Sequence, residues 1–433
     1  MGRAQDPEKR GGGGIAPVPS ASSGAQVLLV TGMLAGNLEP CHCSEGMLGG
    51  LPRRASLVLR FGGKLPLLDM GDFARPTETS DTLMELRERG ALEAIETIPG
   101  SLHVVALGCT DARLGLARLE KLAREAAPSV TWLCANVKNG PAFLKPSVET
   151  GDIIITAVLD PGLAVLDQGE LVPPREAIAP LAARGKTLVV LFHGDPQAAR
   201  ALGDLPGISV IVSCHVEVGA RTARLPSGAS LVTLEQNGQK LHALALAKGA
   251  LETEAAHPLD GLLPDAPAAR EALDRFYEKA TAAAPDLPRR KIDGEGGKYI
   301  GSRNCKICHE KAYAVWEKTG HARSLEKLKE KEPRRSALAE CVECHVTGFG
   351  FETGWTKDAS HLASVGCESC HGVASNHVDL ANSSEDVNGF GMLPGKGPEG
   401  WRARCILCHD PLNSPSFDLE TYLEKIKHWE SWK

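Results

Sequence analysis

Cys305-Lys306-Ile307-Cys308-His309 is the first of four copies of one pattern in the last third of the chain. The others are Cys341-Val342-Glu343-Cys344-His345, Cys367-Glu368-Ser369-Cys370-His371 and Cys405-Ile406-Leu407-Cys408-His409. Each reads C-x-x-C-H, the attachment signature of a c-type haem. Two thiols three residues apart can each add to one vinyl group of the same porphyrin, and the His that follows takes the iron's proximal position. With 13 Cys and 14 His in 433 residues, chance would supply about 0.01 such motifs. Structural zinc sites built from Cys pairs are the competing reading, but they need no His after every second Cys.

Residues 298–433 must therefore accommodate four porphyrins. So short a segment cannot enclose them and also keep an ordinary core. The haems are expected to be the core, wrapped by a mainly helical and irregular chain with short helices near 309–319 and 324–332. A second His on an iron saturates it and suits it to passing electrons, whereas an open position permits ligand binding and catalysis. Outside the motifs this segment holds His321, His361, His377 and His428. These four are the candidate distal ligands, with Met392, the segment's one methionine, as a rival.

Working outward, residues 1–24 are low-complexity, with Gly11 to Gly14 in a row, and read as a disordered lead. From 25 to 250, short apolar runs at 26–31, 65–69, 103–107, 129–135, 152–158, 187–192, 209–214, 231–235 and 240–246 read as strands. Helical stretches near 79–97, 114–126 and 174–184 lie between them. That alternation predicts an α/β domain with a largely buried sheet. Residues 251–297 read as a helical connector and linker, with Leu273, Phe276, Tyr277 and Ala280 on one helical face.

The formal charge is −6, with no long basic stretch, which argues against nucleic acid or an anionic membrane as partner. No apolar run approaches the 18 residues of a spanning helix. Covalent haem attachment takes place beyond the bacterial inner membrane, so a periplasmic or extracellular location is expected. No apolar leader segment is visible in residues 1–25.

The tail resembles the tetrahaem cytochrome c-554 family. The likeness rests on Tyr299-Ile300-Gly301-Ser302, the first haem motif, Trp316, Gly320-His321-Ala322, Cys344-His345-Val346-Thr347-Gly348 and Gly366 to Gly372, with His377 downstream. It implies haems stacked in pairs that shuttle electrons between redox partners. It also implies that His321 and His377 serve haems other than their nearest, and that one haem can be five-coordinate.

Residues 25–250 resemble 5′-nucleotidase-like metallophosphoesterases, through Thr31 to Pro40, Gly49-Gly50-Leu51, Leu68-Asp69-Met70-Gly71-Asp72-Phe73, Ala106-Leu107-Gly108 and Cys134-Ala135-Asn136-Val137. That resemblance implies a four-layer α/β/β/α sandwich with a two-metal site at the strand ends. The site is largely dismantled. The family's first Asp and His fall on Met33 and Ala35, its Asn and His on Cys109 and Thr110 (with Asp111 following), and its last His on Glu217. Asp72, His193 and His215 are kept. Cys41 and Cys43 flank His42, and Cys214 adjoins His215. A replacement metal site for zinc, copper or an iron–sulfur centre is expected from Cys41, Cys43, Asp72, Cys109, His193, Cys214 and His215. Disulfides and inert buried thiols remain the alternatives.

The function expected is electron transfer by an exported cytochrome with four covalent haems and redox proteins (other cytochromes or a reductase) as partners. The α/β domain is expected to be non-hydrolytic. Two alternatives stand beside it: an oxidoreductase acting on a small nitrogen or oxygen compound at an open haem, and a phosphoesterase with an appended cytochrome.

Overall fold

The computed structural model describes residues 22–40, 47–78, 80–216, 221–283, 289–292, 297–383, 398–410 and 413–428. Two compact units divide the chain between Phe276 and Tyr277.

The first unit is built on two sheets. One has seven strands in the order Ala250–Pro258, Lys240–Ala247, Gln26–Thr31, Leu67–Asp69, His103–Ala106, Thr131–Leu133 and Leu144–Lys145. Its strands from Gln26–Thr31 to Leu144–Lys145 run parallel, and the two that follow Gln26–Thr31 on its other side are antiparallel. The other sheet has six strands in the order Arg221–Arg224, Ser230–Glu235, Val210–Val216, Thr187–His193, Ile153–Leu159 and Ser147–Thr150, with parallel pairing at its centre.

Why the strands read as almost unbroken apolar runs follows from burial on both faces. In Ile153–Leu159, Ile153, Ile155 and Ala157 point into the layer between the sheets, where they join Leu28, Val30, Leu68, Val104 and Val212. Their neighbours Ile154 and Val158 point the other way and pack with Ile178, Ala182 and Ala199 of the helices Pro174–Ala182 and Pro196–Arg200. On the first sheet Leu29, Leu67 and Val105 are likewise fully buried, on the face served by Leu51–Arg60, Asp81–Glu96 and Leu116–Ala126. The result is the expected α/β/β/α sandwich.

Three local features depart from the sequence reading. Gly115 at φ 95° separates an unanticipated short helix, Cys109–Arg113, from Leu116–Ala126, the helix expected over 114–126. Leu116, Leu119, Leu122, Ala123 and Ala126 form its buried stripe. Residues 251–258, assigned to the connector, instead belong to the edge strand Ala250–Pro258, which pairs Ala250 with Ala247. Lys248 (φ 50°) and Gly249 (φ 76°) make the two-residue turn, both in the left-handed region that a tight hairpin demands. The helix Leu51–Arg60 and the short strands Ser147–Thr150 and Arg221–Arg224 were not anticipated.

Buried polar groups mark the first sheet, Asp69 and His103 among them. Arg54 reaches Asp69 at 2.7 Å with both side chains at most 1% exposed, and it donates to the Thr31 hydroxyl at 3.2 Å. His103 is buried with Nε2 lacking a partner. Burial and the Arg54 charge push its imidazole down from 6.5 to about 3. The unfolded chain therefore takes up a proton near pH 6.5 that the folded chain refuses until about pH 3. Stability is complete above that window and falls through it as the pH drops, by up to about 1.4 kcal/mol per pH unit. His103→Leu is expected to flatten this part of the Tm–pH profile. An unchanged slope in the variant would contradict the assignment.

The second unit is a string of short helices. They include Ser302–Cys305, Glu310–Trp316, Ser324–Lys331, Ala339–Val342, Cys367–His371, Ser375–Asn382, Pro398–Cys405 and Leu419–Ile426. Its strand-like pairing among the described residues is a single bridge, Arg290 to Phe351. Buried apolar side chains are sparse, Leu325, Leu328, Val342 and Leu362 among them.

Candidate haem centre and a second ligand cluster

Every haem motif starts on or beside a helical turn, with Cys305 ending one helix, Cys341 inside another, Cys367 opening a third and Cys405 ending a fourth. The turn continues through the motif: the amide of His309 donates to the Cys305 carbonyl at 2.9 Å, and that of His409 to Cys405 at 2.8 Å. Positions i, i+3 and i+4 of a helical turn share one face. The two thiols and the imidazole are thus presented together, as one porphyrin requires.

Three of the four candidate distal histidines lie opposite a motif histidine. The ring centroids are 6.2 Å apart for His309 and His377, 6.1 Å for His321 and His409, and 5.9 Å for His371 and His428. An iron held about 2 Å from one nitrogen of each ring sets two imidazole centroids roughly 6 Å apart. The spacing fits a shared iron. His377 adds a second mark, since its buried Nδ1 has no hydrogen-bond partner. Burial pushes His309, His321, His345, His371 and His409 below the ordinary imidazole range, towards the neutral form that binds metal. His361 is exposed and makes no ring contact among the described residues; its ring lies against Gly301. Met392 lies outside the described residues.

The motifs also meet in pairs. Cys305 and Cys367 lie near enough for each thiol to shift the other's ionisation, and so do Cys344 and Cys408. Motifs one and three therefore share one neighbourhood and motifs two and four another. Backbone cradles hold them. Buried Glu368, an x residue of the third motif, accepts from the amides of Ile300, Gly301 and Ala374 at 2.8–3.1 Å, tying the approach to motif one onto motif three. His345 Nδ1 bonds the Ser324 carbonyl at 2.8 Å, and the Trp316 indole donates to Val365 O at 2.9 Å. Glu368 and Ser324 were not singled out from sequence. A carboxylate inside a C-x-x-C-H spacer was the available clue.

In the first unit the ends of four strands bring together Asp72, Cys109, His193 and His215, whose ligand atoms all lie within 4.8 Å of one another. Asp72 Oδ2 is 3.2 Å from His193 Nε2, 3.9 Å from His215 Nε2 and 3.3 Å from Cys109 Sγ. The two Nε2 atoms are 3.0 Å apart. Asp111 organises the loops around them: its carboxylate accepts from the amides of Asp72, Phe73 and Gly108, each at 2.9 Å. A Cβ at Gly108 would collide with the Asp72 carboxylate, so glycine is required there.

Burial raises the Asp72 carboxyl but the facing imidazoles outweigh it and hold it low. Burial and Asp72 push Asp111 up to about 6, and burial with the charge of Asp111 raises Glu88 well above its usual range. For the two histidines burial is opposed and outweighed: Cys214 and Asp72 raise His193, and Cys109 and Cys214 bring His215 up to about 9. The buried Cys214 thiol is pulled down to about 7 by the same imidazoles, against its burial.

Of the seven residues expected to form a metal site, four cluster. Cys214 sits behind His193, 3.7 Å from Nδ1, and packs in the core between the sheets. Cys41 and Cys43 lie outside the described residues, as does Glu217. Met33 is buried in that same core, with Ala35 packed against it, and Thr110 bonds Asp72. Cys134 is buried, and Asn136 is satisfied by Leu159 and Val172.

The sequence model of the cytochrome c554 and c-prime family matches residues 304–372. Cytochrome c-554 of Nitrosomonas europaea is 33% identical over 134 residues, 26% of this chain and 57% of that protein. The C-type polyheme cytochrome OmcB of Geobacter sulfurreducens is 30% identical over 95 residues, 20% of this chain and 11% of OmcB. The chain thus spans little more than half of one relative and a small part of the other. Among solved structures, the sulfate thiohydrolase SoxB of Thermus thermophilus is similar at 18% identity and a TM-score of 0.47, covering 62% of each chain. The NAD nucleotidase of Haemophilus influenzae is similar at 14% identity and a TM-score of 0.48, covering 67% of this chain and 68% of that one. With its four C-x-x-C-H motifs, its opposed imidazoles and the match over residues 304–372, the C-terminal unit is similar to the multihaem c-type cytochromes of the cytochrome c-554 kind.

Proposed function

We propose that the chain is an exported, periplasmic or extracellular, tetrahaem cytochrome that passes electrons between redox proteins such as other cytochromes or a reductase. The observation that carries this reading is the set of three motif histidines each faced by an imidazole from elsewhere in the unit, about 6 Å away. Iron bound on both sides by imidazole has no vacant position and cycles between charge states without a substrate. The proximity of motif one to motif three and of motif two to motif four supports haems grouped in pairs, so that an electron can move within the unit. The covalent attachment chemistry supports the exported location. The α/β unit is proposed to serve docking rather than hydrolysis, because Met33 and Ala35 occupy ligand positions of the resembling family.

The test is the spin state of the haem-loaded protein by electron paramagnetic resonance. Low-spin signals are expected to predominate, and His377→Ala is expected to convert one haem of the four to high spin. A wild-type spectrum that is high-spin throughout would sink the electron-carrier reading. The exposed position of His361 favours a second reading, a small-molecule oxidoreductase at one open haem. Carbon monoxide binding to one haem of the unaltered protein, together with turnover of a small nitrogen or oxygen compound, would select it.

A further inference from the structure

We propose that Asp72, Cys109, His193 and His215 bind a single divalent ion of the zinc type, through one carboxylate, one thiolate and two imidazoles. This site is separate from the haem motifs and stands or falls independently of the electron-transfer reading.

The geometry of the cluster is that of a ligand set. Asp72 has its Oδ1 occupied by the Thr110 amide at 2.7 Å and hydroxyl at 3.1 Å, which leaves Oδ2 facing Cys109 and the two rings. His193 places Nδ1 2.8 Å from the Met70 carbonyl. A ring nitrogen that donates to a carbonyl fixes the tautomer and turns the other nitrogen's lone pair to the metal. That other nitrogen, Nε2, lies 3.0 Å from His215 Nε2 and 3.3 Å from the Cys109 amide, a long contact that a bound ion would replace. Two nitrogens held so close need a proton or a cation between them.

The backbone supports the same conclusion. Asp72 (φ 56°) and His215 (φ 68°) are non-glycine residues held in the left-handed region, a strain that persists where the surroundings impose a functional geometry. Asp72 and Cys109 come from the seven-stranded sheet and His193 and His215 from the six-stranded one. The ion would therefore clamp the two sheets at one end.

The donor set decides the ion and its role. Sulfur with two imidazoles selects zinc over magnesium, calcium or manganese. Four protein ligands complete a tetrahedron, the arrangement of a closed structural site with no position for a hydrolytic water. A second ion would need donors where Met33 and Ala35 now stand.

The haem-loaded full chain would be stripped with chelator, loaded with zinc alone, desalted, and examined by elemental analysis and zinc K-edge X-ray absorption. One zinc per chain is expected, with one sulfur and three nitrogen or oxygen neighbours. Cys109→Ser should remove the sulfur neighbour and weaken binding roughly tenfold or more, and His193→Ala should abolish retention. The wild-type sulfur neighbour is read without any variant, so a misfolded mutant leaves the test intact. Failure to retain zinc, a first shell without sulfur, or two zinc ions per chain would each overturn the proposal.

Discussion

Chain made where haem cannot be attached is expected to keep its α/β unit folded and to lose the fold of its C-terminal unit. The buried apolar side chains of that unit are few and scattered, Tyr313, Leu325, Leu328, Val342, Val346 and Leu362 among them, on helices mostly of eight residues or fewer. Helices that short do not hold in water without a packed face. Fixing each backbone residue costs about 1–2 kcal/mol of entropy, and a handful of buried side chains at about 1.5–3 kcal/mol each cannot offset it. The porphyrins must supply the missing interior. Hydrogen exchange on haem-free protein should show unprotected amides over 297–428 and protected ones over the strands of the first unit. Strong protection in both units would contradict the idea that the cofactors are the core.

The second large effect is expected at Arg54. Its guanidinium and the Asp69 carboxylate lie 2.7 Å apart at almost no exposure. Burial already raises the Asp69 carboxyl, opposed by Arg54. Arg54→Met would leave that carboxyl buried beside no cation, which costs about 3–5 kcal/mol. The double variant Arg54→Met with Asp69→Leu removes both charges and should regain most of the loss. Urea unfolding followed by circular dichroism reads both. A double variant as unstable as Arg54→Met alone would mean that the position depends on shape, not on charge pairing.

How far the sequence carried this account depends on how local each feature is. The four C-x-x-C-H motifs are contiguous and could be read directly. The central strands were equally legible, because burial on both faces makes Ile153–Leu159 and Thr187–His193 apolar along nearly their whole length. Edge strands were harder. Ala250–Pro258 carries Glu252 and Glu254 among apolar residues, and its turn is Lys248-Gly249 in place of the usual Asn-Gly, so nothing set it apart from a connector. The five-residue helix Cys109–Arg113 ahead of Gly115 is too short to show a periodic pattern and was overlooked.

The sites divide in the same way. That His321, His377 and His428 could serve as distal ligands was legible from residue type, but the motif each one faces depends on how separate loops fold together. In the first unit the resemblance to the phosphoesterases pointed to Asp72, His193 and His215, with Cys109 in a ligand position. It could not separate Cys214 from His215. Neighbours in a strand point to opposite faces, and Cys214 enters the core between the sheets while His215 turns to the cluster. Asp111 was noted only as following Thr110; its role went unread because its work is done on three backbone amides that no sequence pattern reveals.

The central claim is that porphyrin iron is covalently joined to all four motifs. Mass spectrometry of peptides cut under denaturing conditions from protein made in cells that attach haem c tests it most directly. The account predicts that the peptides containing Cys305–Cys308, Cys341–Cys344, Cys367–Cys370 and Cys405–Cys408 each carry one haem. Recovery of those peptides at the mass of the bare polypeptide would contradict it.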